Sequence, residues 1–239
     1  MDNPSAYQGI ILPAVLAAFF IFLFLVEFVR PLRKRKRSRG HRLFVNLCLT
    51  LLVFVCGTFL VRTAGLGLSR WTSDHSFGAL NIIPMPVAAH FLIGFLLMDL
   101  TFYYWHRVNH VIPLLWRFHN VHHVDPDLDV TTSFRFHFVE IAYSTVFRVV
   151  QVGLIGIPPI TYIVYEAVFS LATMFHHSNF RLPIRFERWL NRVVVTPRMH
   201  GIHHSTVQEE TNSNYSVVFR WWDEIHRSLR VRVLQSGVN

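Results

Sequence analysis

"WHRVNHVIPLLWRFHNVHH", residues 105–123, places five histidines in nineteen residues, between a long apolar run and a polar stretch. His106 and His110 are four apart. On an α-helix such positions share a face, so both imidazoles can reach one ion. Pro113 follows; its ring fixes φ and it lacks an N–H, so it ends or kinks that helix. His119, His122 and His123 come next, at spacings of three and four that again face one direction. The stretch therefore predicts two short helices, broken near Pro113, that bring five imidazoles around a shared site.

Further along the chain the pattern recurs. His200, His203 and His204 in "PRMHGIHHS" repeat the His-x-x-His-His spacing, and "FHHSN" carries His176 and His177. One His-x-x-x-His pair arises readily by chance, whereas a repeated His-x-x-His-His pattern is hard to obtain without a shared purpose. His41, His75 and His90 stand alone and are read as polar anchors near a membrane surface, and His226 as a surface residue.

The apolar background sets where this site lies. About half of the 239 residues are hydrophobic, and 22 are phenylalanine, many in uncharged runs. The run Ile10–Val29 is long enough to cross the ~30 Å hydrocarbon core of a bilayer. The segment 30–42, "RPLRKRKRSRGHR", follows with eight Lys/Arg and no acid. A cleaved signal peptide would put the basic residues first; here they mark the cytoplasmic flank of a retained span. Nucleic-acid binding by this run is the weaker reading beside a membrane segment. A second span is expected at Leu43–Val61, then an outer polar loop, "RTAGLGLSRWTSDHS", and a third span from about Ile82 to Tyr104. Residues 138–175 are apolar again and broken by "GIPP" at 156–159, a turn signal. They read as a helical hairpin whose arms are short enough to be re-entrant or just long enough to span. Counting crossings puts every histidine cluster on the cytoplasmic face. The expected fold is an all-α, multi-pass membrane helical bundle of about 4–5 segments with a histidine-rich cap. Cys48 and Cys56 both lie in an apolar run, so no disulfide framework or zinc-finger spacing is available.

Ligand type narrows the metal. Imidazole suits Zn, Cu, Fe and Ni, and eight or more histidines exceed the four ligands of one structural zinc. Two ions are the simplest account. The Glu-x-x-His pattern of carboxylate-bridged di-iron bundles is absent. Two redox metals beside lipid point to dioxygen activation and attack on an unactivated C–H bond.

The three boxes, with "TTSFRFHFVE" at 131–140, "HSN" at 177–179, "NYS" at 214–216 and "WWD" at 221–223, resemble the fatty acid hydroxylase and sterol desaturase superfamily over roughly Met98–Arg230. The resemblance implies a non-haem di-iron membrane oxidoreductase, a monooxygenase that uses O2 to hydroxylate or desaturate a lipid. By it the two irons are held by His106, His110, His119, His122, His123, His177, His200, His203 and His204. His137 and His176 are additional candidates, as ligands or behind the ligands. Asp125, Asn179, Asn214 and Asp223 are candidates to hydrogen-bond ligand imidazoles, with capping and turn roles as the alternative. Arg135 and Glu140 either pair or sit at the interface. After "WWD" the chain departs from the family's usual Phe-Gly-Thr-like ending and reads "EIHRSLR".

These expectations divide the chain into an N-terminal transmembrane region, 1–95, a catalytic domain, 96–232, and a tail, 233–239. The lipid is expected to enter between the span near Phe95–Tyr104 and the 138–175 hairpin. Electrons must come from another protein, a cytochrome b5-, ferredoxin- or reductase-like donor, which the 30–42 segment can attract by charge. No retention signal is visible, which favours a bacterial inner membrane over the endoplasmic reticulum. A histidine-rich metal transporter would place its ligands at mid-bilayer on broken helices, and a non-redox zinc enzyme would keep one open three-ligand site.

Overall fold

The computed structural model describes residues 4–53 and 59–232. Among them the secondary structure is helical, with two isolated bridges, Pro31 to Phe180 and Val194 to Phe219, and no strand. In lipid a helix satisfies every backbone hydrogen bond within its own segment, which is why a chain this apolar folds this way. Among the described residues three helices have the length and composition to cross a membrane: Ile11–Val29 within α1 (Pro4–Val29), α5 (Val87–Val111) and, in α7 (Phe138–Ile155), the whole helix. They turn residues such as Phe22, Leu92, Val146 and Leu154 outward, each more than half exposed.

The expected second span divides differently. It begins in α2 (Arg39–Val53), and residues 54–58 fall outside the described part. The stretch expected as an outer polar loop is instead helical, as part of α3 (Phe59–Asp74), and α3 packs against α7 and α8 (Pro159–His177). Its small residues permit this, for Gly65 lies under the Tyr162 ring, where a Cβ would meet the hydroxyl oxygen at 2.3 Å. After the short α4 (Ala79–Ile82), α5 starts at Val87 and runs beyond Tyr104 to Val111. The polar residues that suggested an earlier end, His106, Asn109 and His110, are buried on its inner face.

Proline punctuation is as expected at two places. Ile112 is extended (φ −86°, ψ 115°) between α5 and α6 (Pro113–His123), whose first residue is Pro113; the residue before a proline is driven out of the α region. Between α7 and α8, Gly156 takes φ 77°, a left-handed cap that glycine adopts without strain. A Cβ there would also stand 2.6 Å from the Phe77 carbonyl oxygen. Around these turns Met98, Tyr103, Val152, Ile157, Tyr162 and Tyr165 are buried within two percent of complete exclusion from solvent.

The basic segment is more than a membrane flank. Arg42 is buried, with Nε 2.7 Å and Nη2 3.0 Å from the two Asp125 carboxylate oxygens and Nη1 2.7 Å from Asp129 Oδ2. Arg33 is also buried: its backbone N–H donates to Asn179 Oδ1 (2.8 Å) and its Nη2 to the Pro197 carbonyl (2.6 Å). The backbone N–H groups of Lys36 and Arg37 donate to the Asp127 carboxylate. Residues 30–42 thus form a strap across the histidine-bearing end of the bundle.

Candidate metal centre

Nine imidazoles converge where four helices end. His106 and His110 come from the last turns of α5, His119, His122 and His123 from α6, His177 from the last residue of α8. His200 and His203 lie on α10 (Pro197–His203), with His204 as its cap. They fall into two groups, His106, His110, His119, His123 and His203 in one, His122, His177, His200 and His204 in the other. Within each group the ligand-type nitrogens lie within 4.8 Å of one another, and all nine residues are buried. The sequence boxes are thereby shared out: His122 and His123, adjacent in the chain, serve different groups, as do His203 and His204.

The tautomers show what the groups are built for. His106 Nδ1 is 2.7 Å from the Tyr215 carbonyl oxygen, His203 Nδ1 2.6 Å from that of Ser213, His122 Nδ1 3.1 Å from that of Arg135, and His177 Nδ1 2.7 Å from that of Thr173. A carbonyl only accepts, so each Nδ1 carries the hydrogen and each Nε2 presents a lone pair. Yet His203 Nε2 lies 3.1 Å from His106 Nε2, and His177 Nε2 lies 2.9 Å from His122 Nε2. Two lone pairs so close repel unless a cation lies between them. A proton is a poor candidate, because burial holds His122 and His203 well below the usual imidazole range. One such facing pair occurs in each group, so the donor set fits a metal cation in both. Soft-to-borderline transition metals match all-imidazole coordination.

Glu140, the only acid in "TTSFRFHFVE", supplies the fifth lock: its Oε1 accepts from His119 Nδ1 at 2.7 Å. It does not pair with Arg135, whose guanidinium donates to the Val121 carbonyl and Asn46 Oδ1. The ring of Trp116 lies 4.9 Å from that of His110 and 5.2 Å from that of His123, closing the outer side. The carbonyls of Arg135, Thr173, Ser213 and Tyr215, and the wall of Trp116, were not anticipated from the sequence.

Several candidates go elsewhere. His137 is in neither group; its Nδ1 accepts the Val139 N–H (3.2 Å) and caps α7. His176 is buried and stacks on His200, ring centres 3.9 Å apart, again outside both groups. Asp125 takes Arg42, Asn46 and Thr132, since a buried guanidinium demands a carboxylate more strongly than a neutral ring does. Asn179 exchanges hydrogen bonds with the Arg33 backbone. Asn214, at φ 54°, bonds the Met199 and Arg230 backbone. Asp223 accepts from the N–H groups of Tyr215 and Ser216, which fixes the loop whose Tyr215 carbonyl holds His106. Of these, Asp223 is tied to a ligand-type imidazole through the Tyr215 backbone. His226 is not a plain surface residue: its Nε2 is 2.6 Å from the Tyr104 hydroxyl and its ring stacks on Tyr103. It ties the C-terminal segment to α5.

A cavity of about 910 Å³ opens from His106, His119, His122, His177 and His200 into the bundle. One wall is the expected one, from α5 (Phe102, Trp105), α7 and α8. The opposite wall comes from α1 (Leu16, Phe20, Phe24) and α2 (Leu43, Leu47, Thr50), so the N-terminal helices help to enclose the space.

Two groups of buried imidazoles able to hold a metal, at the mouth of a largely apolar cavity, are the class of site this chain builds. A model of the fatty acid hydroxylase family matches residues 91–228, over half of the chain, and the protein belongs to that family. It is similar to ornithine lipid hydroxylase OlsE of Rhizobium tropici, 31% identical over 140 residues that cover 59% of this chain and 41% of the relative. Human cholesterol 25-hydroxylase is 28% identical over 144 residues, 59% of this chain and 51% of that protein. Human alkylglycerol monooxygenase is 28% identical over 132 residues, 55% and 28% of the two chains. The chain therefore spans about half, or less, of the length of these relatives. No solved structure matches it.

Proposed function

We propose that the protein is a membrane-bound lipid hydroxylase with two irons, one in each histidine group. The observation that carries this is the facing Nε2 lone pairs in both groups, opening onto an apolar cavity. The family and the hydroxylase and monooxygenase relatives support lipid oxidation. Bound iron would supply O2 activation and one-electron chemistry on an unactivated C–H bond, which side chains alone do not perform. The chain's own residues do the rest. Carbonyls and Glu140 hold each ring in the tautomer that presents Nε2, and the cavity holds an apolar tail against the centre while excluding water. The catalytic region is assigned to 96–232 and the transmembrane region to 1–95, with α1 and α2 contributing cavity wall.

The strap that packs against Asn179 and Pro197 puts the basic segment and the histidine groups at the same end of the bundle. By the positive-inside tendency that end is cytoplasmic, where an external electron donor protein delivers its electrons. The bacterial inner membrane is the favoured location over the endoplasmic reticulum.

Metal analysis of the purified protein, followed by lipid mass spectrometry with O2 and a chemical reductant, tests this reading. About two irons per chain and a product heavier by one oxygen are expected. Zinc at one ion per chain without iron-dependent O2 uptake would overturn it in favour of a hydrolytic site, and transport of metal without O2 uptake in favour of a carrier.

A further inference from the structure

The cavity is apolar along most of its length, but its far end is not. Glu166, on α8, lines it together with Arg148 of α7. Arg148 is buried, and its Nε lies 3.1 Å from Glu166 Oε1. The guanidinium is otherwise fully engaged: Nη1 donates to Gln151, whose own amide donates to the Met98 carbonyl. The rings of Phe102, Tyr165 and Phe169 surround it at 5.3–5.5 Å. Glu166 is less complete. Its Oε1 is buried against the guanidinium, while the side chain as a whole keeps 24% exposure and lines the cavity.

Position along the helices fixes how far this acceptor lies from the metal groups. Glu166 precedes His177 by eleven residues on the straight run of α8, which at 1.5 Å per residue is about 16 Å. Arg148 follows Glu140 by eight residues on α7, about 12 Å by the same rise. Two helices thus agree on a separation of about 12–16 Å, roughly half of the ~30 Å hydrocarbon core. Ser170 and Thr173 lie on the same face of α8 between the two ends.

A group that reaches Glu166 must shed its water deep in the bundle. Arg148 and Glu166 already offset each other, so an added carboxylate, phosphate or ammonium would leave a net charge in a low-dielectric site. A hydroxyl carries no charge and has a hydrogen to donate to the part of the Glu166 carboxylate that faces the cavity.

We propose that Arg148 and Glu166 form a specificity subsite for a lipid alcohol. The substrate enters hydroxyl first, the hydroxyl donates to Glu166, and the carbon presented to the metal groups lies about 12–16 Å away along an apolar body. Glu166 contacts the substrate; Arg148 is a positioning residue that holds Glu166. This rests on the reading of the cavity as a lipid site, and it excludes lipids whose polar end is a charged headgroup.

Equilibrium binding tests it without turnover, using the full-length protein in phosphatidylcholine nanodiscs. The probes are radiolabelled cholesterol, its 3-methyl ether and cholestane, with octadecanol and octadecane as a second pair. The wild type is expected to bind each alcohol at least tenfold more tightly than its parent hydrocarbon. The methyl ether, which keeps the oxygen but loses the donor hydrogen, should bind like the hydrocarbon. Glu166→Leu should erase the preference for the hydroxyl, and Glu166→Gln, which keeps an acceptor oxygen, should restore most of it. Equal binding of alcohol and hydrocarbon in both pairs, full binding of the ether, or an unchanged preference in Glu166→Leu would each overturn the proposal. The wild-type comparison holds even where a variant fails to fold. A hydroxyl preference without any oxygenated product would leave the subsite standing and sink the hydroxylase reading. Oxygenated product with no hydroxyl preference would do the reverse.

Discussion

His122 and His177 face each other across 2.9 Å through Nε2, while the Nδ1 of each is tied to a backbone carbonyl, of Arg135 and of Thr173. His106 and His203 repeat this relationship in the other group, at 3.1 Å. Because each pair belongs to a different group, the two metal positions can be emptied separately. His122→Ala should lower bound iron by about one ion per chain, as should His203→Ala, since each removes one ligand from one site of the open, three-or-more-ligand kind. Iron quantified by mass spectrometry of the purified variants is the check. Loss of both ions in either variant would show the groups to be one cooperative unit.

Glu140 orients a ligand imidazole directly, through His119. Glu140→Leu is expected to weaken metal binding by about 10–100-fold, the usual cost of losing such a partner. Glu140→Gln keeps a carbonyl oxygen for His119 Nδ1 and should lose less. Competition against a chromophoric chelator measures both.

The Arg42 guanidinium lies buried between Asp125 and Asp129, and the pair holds Asp125 below the usual carboxylate range. Removing one partner leaves two buried carboxylates uncompensated. Arg42→Met should therefore cost about 3–5 kcal/mol, read as a drop in the thermal unfolding midpoint in detergent. Arg42→Lys should recover little, because a lysine cannot match the two-pronged contact with Asp125.

Ser170 sits in the middle of the cavity wall, away from both histidine groups. Ser170→Trp should leave iron content unchanged and reduce lipid oxidation by about 100-fold, the loss that a misplaced substrate produces. Lipid mass spectrometry alongside metal analysis separates a blocked cavity from a damaged centre.

Much of this architecture was legible in the sequence, for identifiable reasons. Histidine spacing on a helix is a geometric statement, and Pro113 and Gly156 change backbone direction wherever they occur, so the boxes and the breaks could be read in advance. The helicity of α3 could not, because its polar composition resembles a loop until Tyr162 is seen resting on Gly65. Arg33 and Arg42 were hidden among eight basic residues; burial is a property of the partner, and their partners lie 83–164 residues away. The split of His122 from His123 was equally out of reach, since neighbours in sequence point about 100° apart on a helix and only the surroundings decide what each meets.

The locks on the imidazoles have an evolutionary consequence. Four of the five are carbonyl oxygens, of Arg135, Thr173, Ser213 and Tyr215, and every amino acid provides that atom. At those four positions the lock itself does not depend on which side chain is present, as long as the chain path is kept. Glu140, by contrast, exposes its lock to a single codon change. Sequence change at those four positions therefore leaves the orientation of the imidazoles to the path of the backbone.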